Sequence, residues 1–213
     1  MKNSINNLFS SRRQARYKLS GWIISICQIT AARICRMWLV LFGDISVRSS
    51  VEFNSKTHYL FVANHQSQAD PFAAFCALPL IENLKIAPVR FLTAKTVYYT
   101  PLLPLLKSMG CYPTRGARER IINESVDYLA HGYNVFIFPE GKRTTRALSE
   151  PRRGVSDLIT QATQRLEVTM VLVHIEWSPS SFLRRRVDIT IAPAPRELYS
   201  SDATTIMNHL YEL

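Results

Sequence analysis

Apolar and polar positions change period repeatedly after Gly43. The segments ISVRSSVEF, HYLFVA, IAPVRFLTA, CYPT, YNVFIF, VTMVLVHIEW and VDITIAP read as strands. PFAAFCAL, the Pro-interrupted TVYYTPLLPLLKSM, ARERIINESVDYLAHG, VSDLITQATQRL and the closing ATTIMNHLYEL read as helices. Runs such as NVFIF and MVLV are nearly continuously apolar, as expected of strands covered by helices on both faces. The alternation predicts an α/β domain over residues 44–213, with a mixed, mostly parallel central sheet flanked by helices. No internal repeat or low-complexity linker interrupts it.

Residues 1–43 follow a different pattern. From Leu19 to Ala32 the chain is uncharged, but Arg33 and Arg36 then interrupt, and these fourteen residues fall short of the roughly 20 that a spanning helix needs. On a helix at about 100° per residue, Lys18, Gly21, Ser25, Gln28, Arg33 and Arg36 form one narrow stripe. Trp22, Ile23, Ile26, Ile29, Ile34, Trp38 and Leu41 fill a broad apolar remainder. The pattern suits a helical segment lying in a lipid interface, with basic and Trp side chains near the headgroups. A helix buried against the domain is the alternative. The arginines inside the apolar region and the lack of a small-residue cleavage pattern argue against a removed leader, so the segment is expected to be retained.

The 213 residues carry 26 Lys and Arg against 16 Asp and Glu, and no acidic residue precedes Asp44. A net charge of +10 points to an anionic partner, either phospholipid headgroups or nucleic acid. No recognition-helix, zinc-finger or single-strand-binding signature supports nucleic acid. Cys27, Cys35, Cys76 and Cys111 are scattered without C-x-x-C spacing, which predicts neither a zinc site nor a disulfide framework and fits a reduced, cytosolic setting.

Two segments carry candidate chemistry. In ANHQSQADPF, Asp70 before Pro71 reads as a helix N-cap, which leaves His65 in the loop between a buried strand and a helix N-terminus. A carboxylate there can fix the imidazole tautomer so that the other ring nitrogen takes a proton from a hydroxyl. The second segment, FPEGKRT, follows the strand YNVFIF. Gly141 would let backbone approach a ligand closely, and Lys142, Arg143 and Arg146 offer charge for phosphate. Glu140 is out of place among those cations unless it orients something.

These residues resemble the glycerolipid acyltransferases, which include lysophosphatidic acid and glycerol-3-phosphate acyltransferases. The family's Asn-His-x4-Asp motif is similar to Asn64, His65 and Asp70, and its Phe-Pro-Glu-Gly motif to Phe138, Pro139, Glu140 and Gly141. A further motif, glycine then arginine five residues on, resembles Gly110 to Arg115, with the stretch from Lys95 leading into it. The resemblance spans roughly residues 59–175 and implies acyl transfer from acyl-coenzyme A or acyl carrier protein to a lysophospholipid hydroxyl, without a metal or other cofactor. It makes His65 the general base and Asp70 its orienting partner. It puts Arg115 on the acceptor phosphate and Asn64, Lys95, Glu140, Gly141, Lys142, Arg143 and Thr144 in the substrate-binding set. Lys142 where threonine is common, Pro113 in the arginine motif and a late strand without the family's proline leave the acceptor open. No G-x-S-x-G nucleophile is present, so the hydroxyl is expected to attack the thioester directly.

The remaining features read plainly. His58, His131, His174 and His209 lack spaced partners, and Arg184, Arg185 and Arg186 read as a solvated loop that could touch headgroups or an acidic carrier protein. The apolar stretch from Val97 to Leu106 reads as core, with an acyl-chain lining as the alternative. A membrane-associated acyltransferase at the cytoplasmic membrane face is the reading that joins both motifs to the basic N-terminus. A catalytically silent relative acting as a scaffold is the competing one.

Overall fold

The computed structural model describes residues 2–143, 151–152, 154–179 and 185–213, with side chains described from Ser20 except those of Phe42, Pro179 and Arg185. The predicted Thr144 and Arg146 lie outside the described residues, as does Arg184.

Seven strands form one sheet in the order β1-β7-β6-β2-β5-β3-β4. They are β1 (Gly43–Ser49), β2 (His58–Ala63), β3 (Val89–Thr93), β4 (Cys111–Pro113), β5 (Asn134–Ile137), β6 (Val168–Pro179) and β7 (Arg185–Pro193). Strands β6, β2, β5, β3 and β4 run parallel to one another, and β7 turns antiparallel to β6 and carries β1 beside it. The expected mixed, mostly parallel sheet is therefore the observed one. Because five strands share a direction, the loops after β2, β3, β4 and β5 and the end of β6 all emerge at one edge, where open α/β sheets place their ligands.

The helices are α1 (Lys2–Phe42), α2 (Asp70–Ala77), α3 (Leu80–Ile86), α4 (Lys95–Tyr98), α5 (Leu103–Ser108), α6 (Arg118–Ala130), α7 (Gly154–Arg165) and α8 (Ala203–Tyr211). Side chains alternate across β2, so Tyr59, Phe61 and Ala63 face the layer of α1 and α2, while Leu60 and Val62 face α6, α7 and α8. Each layer closes its own core. On one side Ala32 and Leu39 of α1 join Ala73, Phe75 and Cys76 of α2. On the other, Ile122, Val126 and Leu129 of α6 meet Ile159 of α7 and Ile206 of α8.

Helix α1 presents the opposite face to the one its charges suggested. The polar stripe turns toward the domain. Gln28 is fully buried, Arg33 Nη2 donates to Leu78 O at 3.0 Å, and Arg36 Nη1 donates to Cys76 O at 3.3 Å and Ala77 O at 3.1 Å. Both arginines thus satisfy the orphan carbonyls at the end of α2, where cations also suit the helix dipole. They are not available to headgroups, which corrects the reading of the stripe. Trp22 (72% exposed), Ile23, Ile26, Ile34, Met37, Trp38, Val40 and Leu41 point outward. With the arginines turned inward, Ser20–Leu41 is a 22-residue helical stretch of mean hydropathy 1.5, long and apolar enough to cross a membrane by length and composition.

Other expectations shift locally. Helix α3 was not predicted, because Leu80, Ile81 and Leu84 face outward and leave no stripe matched to the core. The stretch expected as core, Val97 to Leu106, exposes Val97, Tyr99, Leu102 and Leu105. Strand β1 ends at Ser49, short of the expected Phe53, which instead packs edge-on against Tyr59 with ring centroids 5.2 Å apart.

Candidate active site

The loop between β2 and α2 is held from both sides. Asn64 extends the β2–β6 ladder with its side chain: Nδ2 donates to Ile175 O at 2.8 Å, and Ile175 N donates to Oδ1 at 2.7 Å. Two residues on, Gln66 Oε1 accepts from Trp177 N at 3.2 Å. From the β5 side, Glu140 Oε2 accepts from His65 N at 3.1 Å, and its Oε1 accepts from the Tyr211 hydroxyl of α8. His65 is stretched between two strands by side chains that replace backbone partners.

Its imidazole lies over Phe138, with centroids 4.3 Å apart and the planes at 28°. Phe138 in turn contacts Phe136, and Phe136 stacks on Phe61, so the imidazole rests on an aromatic column rooted in the core. Nδ1 lies 2.8 Å from Asp70 Oδ2. A carboxylate only accepts hydrogen bonds, so Nδ1 carries a proton, and in the neutral ring the lone pair is on Nε2. The His65 side chain retains 20% of its surface while Asp70 is wholly buried.

Asp70 does not occupy the N-cap. That position belongs to Ala69, whose backbone is already helical at φ −82° and ψ −10° and whose side chain makes no capping bond, while Asp70 opens the helix itself. The carboxylate turns back into the loop instead. Oδ2 accepts from Gln66 N and Ser67 N, each at 2.7 Å, as well as from His65, and Oδ1 accepts from Trp177 Nε1 at 2.7 Å. Four donors around one buried carboxylate meet the requirement that a buried charge be hydrogen-bonded. The arrangement is a fixed imidazole with one nitrogen available to take a proton, on a loop at the sheet's carboxyl edge.

The other expected residues divide into two groups. Asn64 and Glu140 are 0% and 1% exposed and spend their polar atoms on Ile175, His65 and Tyr211, so they shape the loop and do not present themselves to a substrate. Gly141 adopts a left-handed φ of 62°, and a Cβ there would meet Arg152 Nε at 2.8 Å. The space over this glycine is filled by the Arg152 side chain, a correction to the expectation of open access for a ligand. Lys142 and Arg143 follow it, exposed. Lys95 is exposed at the start of α4, directly after β3. Arg115 is exposed after β4 and donates from Nη1 to the Tyr99 hydroxyl at 3.1 Å. All four cations come from loops at the same sheet edge as His65.

Sequence reasoning missed Trp177, Tyr211 and Arg152. Trp177 ends a strand that was recognised, and its position level with the loop after the parallel neighbour β2 was the available signal.

The acyltransferase family model matches residues 44–193. The chain belongs to the acyltransferase family. No curated protein sequence matches it. Among solved structures, the acyltransferase fold resembles the crystal structure of the 1-acyl-sn-glycerophosphate (LPA) acyltransferase PlsC from Thermotoga maritima. The TM-score is 0.65 at 19% identity, covering 98% of this chain and 85% of that one. The matched span of this acyltransferase contains every element that supplies His65, Asp70, Glu140 and Trp177, whereas Tyr211 lies beyond its end.

Proposed function

We propose that this acyltransferase moves a fatty acyl group from a thioester donor, acyl-coenzyme A or acyl carrier protein, to the hydroxyl of a lysophospholipid, with 1-acylglycerol-3-phosphate as the first choice of acceptor. The observation that carries the reading is the buried Asp70 carboxylate holding Nδ1 of a partly exposed His65. Nε2 removes the hydroxyl proton as the acceptor oxygen attacks the thioester carbonyl. The new C–O bond forms, the C–S bond breaks, and the imidazolium returns the proton to the departing thiolate. General base catalysis of this kind contributes about 10² to 10⁴ in rate. Arg115, Lys95, Lys142 and Arg143 suit a phosphate-bearing acceptor, since charge-assisted bonds to phosphate are the stronger ones.

The surface supports a membrane setting. The apolar outer face of α1 is joined by exposed Leu80, Ile81 and Leu84 on α3 and by Leu102 and Leu105 at α5, both helices that pack against α1. Polar residues of α1 bond to the domain from Ser20, which meets the Tyr133 hydroxyl at 2.8 Å, to Arg36, a length of about 24 Å of helix. A helix bound sideways along that length would drag the domain into the bilayer if it stood upright. Lying flat in the interface on the cytoplasmic face, it leaves the domain in water and its apolar side in lipid.

The test is purified protein in mixed micelles with a panel of lysophospholipids and glycerol 3-phosphate, each with acyl-coenzyme A or acyl carrier protein, and mass spectrometry of the products. Acylated product from a lysophospholipid, absent with His65→Ala, is the expected result. No product from any acceptor, with the folded protein on the membrane, would favour a silent scaffold.

A further inference from the structure

Asp70 is held by two separate sets of donors, and only one belongs to its own loop. Oδ2 takes His65 Nδ1, Gln66 N and Ser67 N. Among the described residues, Oδ1 takes a single hydrogen bond, from the indole of Trp177 at 2.7 Å. Trp177 stands near the end of β6, and its ring packs against the core cluster that contains Ala73 and Phe75 of α2. Its backbone N–H is fixed as well, by Gln66.

We propose that Trp177 is a positioning residue for acyl transfer, acting through Asp70 on His65. This rests on the reading of His65 as the base. The loop donors hold one carboxylate oxygen from one side, and a swing of the whole group away from them is opposed at the other oxygen by the indole. An indole N–H only donates, so it requires an acceptor at Oδ1 and cannot adapt to a protonated carboxyl group there. The strand anchors the indole, the indole pins the second carboxylate oxygen, and the carboxylate held at both oxygens sets the direction of the His65 ring. Misplacing a catalytic group by small distances lowers turnover steeply. Because the Trp177 indole N–H is spent on Asp70 Oδ1, its loss should alter kcat and spare KM.

Trp177→Phe keeps an aromatic ring in the core contact and removes the donor together with part of the indole's volume. The expected result is a kcat about 10- to 100-fold lower, with the KM of acceptor and donor within about twofold of the parent. In an Asp70→Asn background the same substitution should change kcat less than about twofold, since the carboxylate through which it acts is gone. An unchanged kcat, a raised KM at constant kcat, or an equal loss in both backgrounds would overturn the proposal. A second readout needs no substrate. In the free protein the His65 Nδ1 proton, shared with a buried carboxylate, should give a downfield NMR resonance that moves or broadens in Trp177→Phe. If that resonance is unaltered, the coupling is absent whichever acceptor the protein uses. If it moves while the parent protein acylates nothing, the coupling stands and the reading of the reaction fails instead.

Discussion

Gln28 and Val89 pair as two strand residues would. Val89 N donates to Gln28 Oε1 at 3.0 Å, and Gln28 Nε2 donates to Val89 O at 2.6 Å and to Met109 O at 2.9 Å. A helical side chain thereby completes the backbone at the start of β3. Gly110, the glycine of the arginine motif, has φ 80° and lies beneath this contact; a Cβ there would come within 2.9 Å of Gln28 Nε2. Gln28→Leu is expected to leave these buried backbone groups unpaired, at about 1 to 3 kcal/mol for each. Hydrogen exchange should then show α1 and β3 opening together, well before α6 and α7. Unchanged protection in β3 would show that the pairing contributes nothing.

His65→Ala is expected to abolish turnover without loss of fold, because the imidazole is partly exposed and its removal opens no core cavity. Asp70→Asn keeps the size of the side chain but replaces an acceptor with a donor face that conflicts with some of its four N–H partners. It should reduce kcat by about 10² to 10⁴ and also cost some stability. Circular dichroism and single-turnover rates separate the two effects, and near-normal turnover in a folded His65→Ala protein would remove His65 from the mechanism.

Arg115 is exposed and held lightly by Tyr99, so its truncation should leave the fold intact. The expected effect of Arg115→Ala is a higher acceptor KM, equivalent to about 1.5 to 3 kcal/mol, for phosphate-bearing acceptors alone. The contrast is made by assaying a phosphate-free lyso-acceptor beside a phosphate monoester. Equal losses on both would make Arg115 a structural residue.

Deleting residues 1–43 cannot test membrane attachment cleanly, because α1 supplies Gln28, Ala32 and Leu39 to the interior. Replacing Trp22, Ile26 and Trp38 with serine leaves those contacts in place. It should release the protein from vesicles and lower activity on long-chain acceptors more than on a soluble short-chain analogue. High salt should weaken attachment of the parent protein only in part, since apolar insertion is not screened. Protease outside sealed inside-in vesicles should cut nothing, and cleavage there would mean that α1 spans.

Burial lowers the pKa of His174, against a smaller opposing influence of Glu176, and the ring meets Tyr211 edge-on at 5.7 Å. Above the ordinary histidine pKa of about 6.5 both folded and unfolded chains hold it neutral. As pH falls below that value the unfolded chain takes up the proton first, and stability declines until the folded-state pKa is passed. Urea midpoints at about pH 7.5 and about pH 5.5 should therefore differ more for the parent than for His174→Phe. Parallel declines would show that His174 is not part of the acid sensitivity.

The His65–Asp70 contact was legible in the sequence because the two residues are close along the chain. His65 lies in the loop after β2 and Asp70 opens the helix that follows it, and strand alternation placed that junction at the correct edge of the sheet. What stayed hidden depends on partners far along the chain: Trp177 lies 107 positions from Asp70, and Tyr211 lies 71 from Glu140. Periodicity revealed the polar stripe of α1 but not what it faces. Arg33 and Arg36 read as breaks in an apolar run because nothing local indicates that the end of α2 receives them. Asp70 read as a cap because Asp-Pro is the ordinary signature of one, and the competing donors that turn its carboxylate aside are tertiary.

Helix α2 is only eight residues long, and both of its ends are held. At one end is the carboxylate that aligns His65; at the other are the carbonyls gripped by Arg33 and Arg36. A rod of about 12 Å therefore links the arginine grip to the His65 imidazole. On the proposed membrane reading it would act as a depth gauge: the level at which α1 settles would fix the height at which the imidazole meets a hydroxyl. Lengthening α2 by one turn, about 5.4 Å, would move the site away from a headgroup without altering a single reacting atom.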